Sequence, residues 1–324
     1  MVDTNKLNTC IDAMVELMIE MKRALKEEAD LSTAKSDFNP PPPTKKLSST
    51  SVVSQSKPSL EENASFEQLK EAVMGDKWPE AVNKNLICDP NSESDKIERG
   101  RGIIELMIEE DLNGLKFLDF GCGEGHCVHL SSEYHTELSV GYDIMPCQKW
   151  QEFNSNTKFT TNFSEVMADG PYDIILMFDI IDHLQKEDMS SVLKKAESVL
   201  TDKGRIYLRC HPFPSRHATH LYHDLNKAYL HLVFTPDELR EIVPYSANEL
   251  PSQIISKPLA TYKKEIESAG LKEVNHREIT EKVEPFFTSP GIANRIQKTL
   301  GFNSFPNFQM SLQFIDYVLE KKVT

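Results

Sequence analysis

No apolar run in the sequence approaches the roughly 18 to 20 residues that a membrane helix requires, so helical bilayer-spanning classes are excluded. The N-terminus lacks a basic region followed by an apolar core, and no secretory signal is expected. The six cysteines (Cys10, Cys88, Cys122, Cys127, Cys147 and Cys210) form no CxxC pair. Their scatter argues against a disulfide framework or zinc knuckle and fits a reducing cytoplasm. Basic side chains are also in short supply: 36 Lys and Arg stand against 50 Asp and Glu, a formal net charge of -14. Duplex-binding surfaces are usually basic, so a small-molecule or protein partner is favoured over nucleic acid. No internal repeat is visible, and the GxxxxGK[ST] signature of a P-loop is missing. What remains, 39 % hydrophobic and 27 % charged residues over 324 positions, is the composition of an ordinary globular protein.

Three regions follow from the patterning. Within residues 1–29, Leu7, Ile11, Met14, Met18, Met21 and Leu25 alternate spacings of four and three, a heptad seam. The seam is short for a coiled coil, and it serves either self-association and docking or packing on its own domain. Residues 30–62 carry four consecutive prolines and a Ser/Thr/Lys-rich remainder, a composition that favours an extended spacer over a packed core. From residue 63 to 324 strand and helix patterns alternate. "LKFLDF", "LSVGYD", "KFTT", "YDIILMFD" and "GRIYLRC" read as strands, with helices between most of them. That alternation predicts an α/β fold with a doubly wound, mostly parallel sheet. Two late strands, "LKEVNHREI" and "FQMSLQFIDYVLEK", follow as a C-terminal antiparallel pair and bracket an insertion at 281–308. Its phenylalanines either cover a crevice as a lid or bury one another.

The chemistry concentrates at "KFLDFGCGEGHCVHL". Gly121, Gly123 and Gly125 follow a strand, where glycines permit positive φ and close approach of backbone to a ligand. Their spacing is GxGxG, and His126 stands where the dinucleotide fingerprint requires a sixth-position glycine or alanine, which disfavours nicotinamide and flavin cofactors. The second strand ends in Asp143, an acid placed to accept hydrogen bonds from ribose hydroxyls.

With these features together, the chain resembles the class I S-adenosylmethionine-dependent methyltransferases. "FLDFGCGEG" is similar to the family's first motif and "VGYDI" to its acidic second motif. "YDIILMFDIIDHL" and "VLKKAESVLTDKGRIYLR" resemble its fourth- and fifth-strand motifs. One departure is Lys203-Gly204 in place of a double glycine. The block "KWPEAVNKNLICDPNSESDKIERGRGIIELM" is also similar to methyltransferases predicted in tailed-phage genomes. The resemblance implies a Rossmann-like fold and S-adenosyl-L-methionine as cofactor. Gly121, Cys122, Gly123 and Gly125 would form the cradle, and Asp119 would orient the loop and the methionine amino group. Asp143 would bind the ribose, Ile144 would pack on adenine, and Asn162 would face the adenine amino group. Phe178 and Asp179 would border the transferred methyl.

The acceptor is less legible. No [DNS]PP[YFW] follows the fourth strand, which disfavours amino methylation of bases, and the "PCQ" at Pro146 follows the second strand rather than the fourth. The run "RCHPFPSRHATHLYHDLNKAYLH" begins at the end of the fifth strand. There His211 is a candidate base and Arg216 a candidate grip for an anionic group, with Asp179 beside them on the acceptor side. His217, His220 and His223 drift around a helix rather than sharing a face, so no metal site is expected from them. The competing reading is a structural or assembly protein, virion-associated if phage-encoded, whose methyltransferase-like domain binds the cofactor without turnover.

Overall fold

The computed structural model describes residues 64–82, 92–153, 157–216, 218, 221–223, 225–243, 257–300 and 310–322. The heptad segment and proline-rich spacer lie outside the described residues. Helices α1 (Phe66–Met74) and α2 (Glu93–Met107) precede the first strand. Each begins at a serine whose hydroxyl accepts a backbone N–H: Ser65 from Gln68, and Ser92 from Asp95. The alternating core follows as β1 (Lys116–Phe120), α3 (His126–Glu133), β2 (Leu138–Tyr142), β3 (Thr157–Thr160), α4 (Phe163–Asp169), β4 (Tyr172–Met177), α5 (Lys186–Ser198) and β5 (Leu200–Cys210). Then come α6 (Leu230–Val233), α7 (Pro236–Ile242), α8 (Leu259–Ser268), β6 (Leu271–Thr280), α9 (Pro290–Leu300) and β7 (Leu312–Lys321). Helix α4 goes beyond the sequence expectation. Asn162, expected to face an adenine amino group, caps it by accepting the Ser164 N–H at 3.0 Å.

The seven strands run in the order β3-β2-β1-β4-β5-β7-β6. β1 to β5 pair in parallel, and β7 pairs antiparallel with both β5 and β6. The expected doubly wound sheet with a reversed C-terminal pair is therefore present. Period-two alternation sends neighbouring side chains to opposite faces. Phe117, Ile174, Leu176 and Tyr207 pack under α2 and α3. Leu118, Ile175, Met177, Ile206 and Leu208 pack under α5 and α8 on the other face. Both faces are covered, so "DIILMF" is continuously apolar.

A second core lies beside the sheet. Trp78, Tyr229, Phe234, Phe287, Ile292 and Ile296 bury one another, joining α1, the segment after β5 and the described part of the 281–308 insertion. Phe286 and Phe287 pack edge-on against Trp78; Phe287 is buried in this core and Phe286 is partly buried against it. The segment at 226–228 holds the N-terminal stretch directly. Asn226 both accepts from the Val82 N–H and donates to the Val82 carbonyl, and the Trp78 indole donates to Ala228 O at 2.9 Å.

One buried charge pair joins the parallel and antiparallel parts. Arg209 on β5 stands opposite Asp316 on β7 and donates from Nε and Nη2 to its two oxygens at 2.6 and 2.8 Å. Arg277 on β6 donates to the same carboxylate at 2.6 Å. Burial opposes ionisation of Asp316, but the two guanidiniums hold it below the usual carboxylate range. Asp316→Ala removes the bidentate partner of a guanidinium with no solvent exposure and is expected to cost about 3 to 5 kcal/mol, read from chemical denaturation midpoints.

Candidate active site

The parallel strands switch direction of winding between β1 and β4, and the crevice opens at their carboxyl ends. It holds a cavity of about 70 Å³. Its lining includes Asp119, Gly121, Cys122, Gly123, Gly125 and Phe178, residues expected from sequence.

The glycine loop is held from below by β2. The N–H groups of Gly121 and Cys122 both donate to Tyr142 O, at 2.7 and 3.1 Å. Gly121 has φ +90, and a Cβ there would lie 2.3 Å from Ile180 Cγ2. Gly125, also at φ +90, caps α3, and a Cβ there would meet the Phe159 ring at 2.4 Å. Both positions need glycine for conformation and for space. Trp150 stacks on Phe159 and donates its indole N–H to Gly123 O at 2.9 Å, closing the loop from the β3 side.

Asp143 is tied into the same unit. Its Oδ2 accepts the Gly123 N–H and its Oδ1 the Met145 N–H, both at 3.0 Å. Beside it Ile144 is 79 % exposed, an apolar surface available to a flat ring. Asp119 lies at the floor, 4 % exposed. Burial, with the Asp143 carboxylate nearby, pushes it up to about 7, against the pull of Arg99. Burial likewise raises the Cys122 thiol, so it stays protonated at neutral pH.

Helix α2 contributes residues that the sequence reading did not assign to the site. Lys96, Arg99 and Ile103 line the crevice. Lys96 pairs with Glu124 of the loop at 2.8 Å, and Glu93 contacts both His126 and Lys149. Nothing in the local spacing of α2 marks these positions, because their role depends on where the helix packs.

The acceptor-side candidates divide. Asp179 follows Phe178 at the end of β4, with φ +55 in the left-handed region. His211, at the end of β5, lies 3.6 Å from it by Nδ1 to Oδ1. Between them stands Asp182, which the sequence reading left unassigned. Its Oδ2 accepts the His211 backbone N–H and faces His211 Nδ1, each at 2.9 Å, and its Oδ1 accepts from the Tyr262 hydroxyl. Tyr262 in turn accepts from the Lys257 N–H at 3.1 Å. Burial alone would lower the His211 imidazole, but Asp179 and Asp182 outweigh it and raise its pKa.

Arg216 is placed elsewhere. Its Nε donates to Glu80 O and Ala81 O at 3.0 and 3.1 Å, and its remaining nitrogens bind Glu80 O and the Glu284 carboxylate. It braces the second core instead of gripping a ligand, because three chain segments converge on its guanidinium. His231 donates to or accepts from no crevice group here; its Nε2 meets Phe213 O at 2.8 Å, and burial lowers it to about 4. His217 and His220 lie outside the described residues. Among the described residues, Asp179, Asp182 and His211 bring potential ligand atoms within 4.8 Å of one another. No metal site was expected from the sequence. The described cysteines, Cys122, Cys127, Cys147 and Cys210, are free.

A family model described as a methyltransferase domain matches residues 93–244, from the start of α2 past the end of α7. The chain's similarity to a methyltransferase domain thus spans 152 of its 324 residues. The sheet has the Rossmann-like organisation that the family resemblance implies. Similar solved structures include a methyltransferase dependent on S-adenosylmethionine from Archaeoglobus fulgidus, 17 % identical, covering 70 % of this chain and 94 % of that one at a TM-score of 0.44. The 1,6-didemethyltoxoflavin-N1-methyltransferase of Burkholderia thailandensis, with S-adenosylhomocysteine bound, is 11 % identical over 70 % and 78 % of the two chains at 0.41. The magnesium protoporphyrin IX methyltransferase of Synechocystis PCC 6803 is 15 % identical over 71 % and 88 % at 0.41. No curated protein sequence matches the chain. No helix among the described residues is long and apolar enough to cross a membrane.

The glycine requirement of the methyltransferase loop is directly testable. Gly121→Ala places a Cβ at positive φ and against Ile180, and is expected to lower stability by about 1 to 3 kcal/mol by thermal or urea unfolding.

Proposed function

We propose that this chain transfers a methyl group from S-adenosylmethionine, by in-line displacement, to an acceptor that docks against Asp179 and His211. The observation that carries the reading is the hydrogen bond from the Gly123 N–H to Asp143 Oδ2, which fuses the glycine cradle and the acidic second motif into one rigid cofactor platform. The loop backbone at Gly121, Cys122 and Gly123 faces the methionine moiety. Asp119 meets its ammonium, Asp143 takes the ribose hydroxyls, and Ile144 supports the adenine. Phe178 and Asp179 border the methyl. Arg99, from α2, is the cation on the crevice wall suited to the methionine carboxylate.

In-line transfer gains chiefly from holding donor and acceptor in register. An acceptor that carries a proton must also lose it. The buried groups next to the methyl position are Asp179, Asp182 and His211, and these form the acceptor side. A small molecule or protein acceptor fits the acidic chain better than nucleic acid. The alternative role in structure or assembly is motivated by residues 1–62, outside the described set, and no described residue favours it.

Two measurements test the reading. Calorimetric titration with S-adenosylmethionine should show one site per chain, and Asp143→Ala should weaken it at least tenfold; absence of binding to the parent chain would overturn the proposal. Affinity should also depend on pH. Asp119 is raised to about 7 by burial, and a cationic ligand favours its ionised form, so binding expels its proton below that value. The dissociation constant should therefore rise as pH falls below about 7, by up to about tenfold per unit, and Asp119→Asn should flatten the profile.

A further inference from the structure

The buried carboxylates that follow β4 differ in their hydrogen bonding. Asp182 is fully engaged, by the His211 N–H, the His211 ring and Tyr262. Asp179 is not. It is 2 % exposed, and neither carboxylate oxygen has a hydrogen-bond partner. An ionised carboxylate in that state costs several kcal/mol, of the order expected for an unsatisfied buried charge. The residue is also held at φ +55, a conformation that a non-glycine residue keeps only where its surroundings impose it.

The spacing supplies an explanation. One ligand atom from each of Asp179, Asp182 and His211 can be chosen so that all lie within 4.8 Å of one another. His211 Nδ1 is 2.9 Å from Asp182 Oδ2 and 3.6 Å from Asp179 Oδ1. Donors bound at about 2.1 Å to one centre stand about 3.0 to 3.4 Å apart, so small side-chain shifts bring the three onto a common ion. We propose that Asp179, Asp182 and His211 bind one divalent first-row cation, such as Zn²⁺ or Mn²⁺, beside the methyl position. One imidazole with two carboxylates matches the preferences of those ions, and a charge of +2 balances two carboxylates. Three protein ligands leave a coordination position open, the arrangement of catalytic rather than closed structural sites. A water or acceptor oxygen bound there loses its proton more readily. The inference deepens the methyl-transfer reading and rests on it for the role, but not for the presence, of the ion.

The test uses the full chain, freed of metal by chelation and titrated with MnCl₂ or ZnCl₂. Mn²⁺ is followed by loss of the free-ion paramagnetic resonance signal, and Zn²⁺ by calorimetry. One ion per chain is expected, together with a rise in melting temperature on binding. Asp179→Asn should weaken binding at least tenfold, and in metal-free protein it should melt no lower than the parent, since it removes an unsatisfied buried charge. Asp143→Ala should bind the ion like the parent while losing S-adenosylmethionine. A parent chain that binds S-adenosylmethionine but takes up no ion at the concentrations tested, or an Asp179→Asn variant with undiminished uptake, overturns the cation site. Ion binding without S-adenosylmethionine binding leaves the cation site standing and overturns the methyl-transfer reading.

Discussion

The Arg209–Asp316 pair is the constraint on which the described architecture turns. A parallel sheet that ended at β5 would leave that strand as an open edge, a liability for soluble proteins. β7 covers it in the antiparallel sense, and the cross-strand pair at Arg209 and Asp316 fixes the register of that closure. A slip of β7 by one residue would turn Asp316 to the opposite face and leave Arg209 buried without its partner. The guanidinium is also sandwiched between the rings of Phe178 and Phe314, at 4.7 and 3.8 Å from their centroids. A single buried cation thereby sets β5 against β7 and braces Phe178, the residue that follows β4. The next two residues along β5 lead to His211, so the position of the acceptor-side group follows from a contact made in the sheet.

A second organising contact is the capture of loop backbone by carboxylates. Asp143 takes the N–H of Gly123, and Asp182 takes the N–H of His211. In each case an acid at the edge of the crevice satisfies a backbone donor that the end of a strand leaves unpaired. The loops gain definite geometry without regular secondary structure. The two acids thus play equivalent structural parts on opposite sides of the switch point, one on the cofactor side and one on the acceptor side.

The glycine loop and its acid were readable in sequence because their determinants are local. Glycine spacing, the strand before it and the acid after the next strand lie in two short stretches. The structure brings Asp119, Gly121, Cys122, Gly123, Gly125 and Phe178 to one crevice, with Asp143 bonded to the loop. Asn162 proved to be a helix cap, since a polar residue after a strand serves a turn, a cap or a ligand with the same local signature. Arg216 was misplaced for a related reason. A basic residue just past a strand that ends at the crevice looks like a ligand grip, yet its partners, Glu80, Ala81 and Glu284, come from segments far away in the chain.

Hydrophobic period, turn chemistry and motif spacing act over a few residues, so the class of fold and the glycine loop were legible in the chain alone. Tertiary structure alone decided that Asp182 and Tyr262 hold His211, that Lys96 and Arg99 line the crevice, and that Asp179 lies buried with its carboxylate unsatisfied. Those relations join residues separated by whole helices and strands, and burial, which sets their energies, is a property of the packed chain and not of any stretch of it.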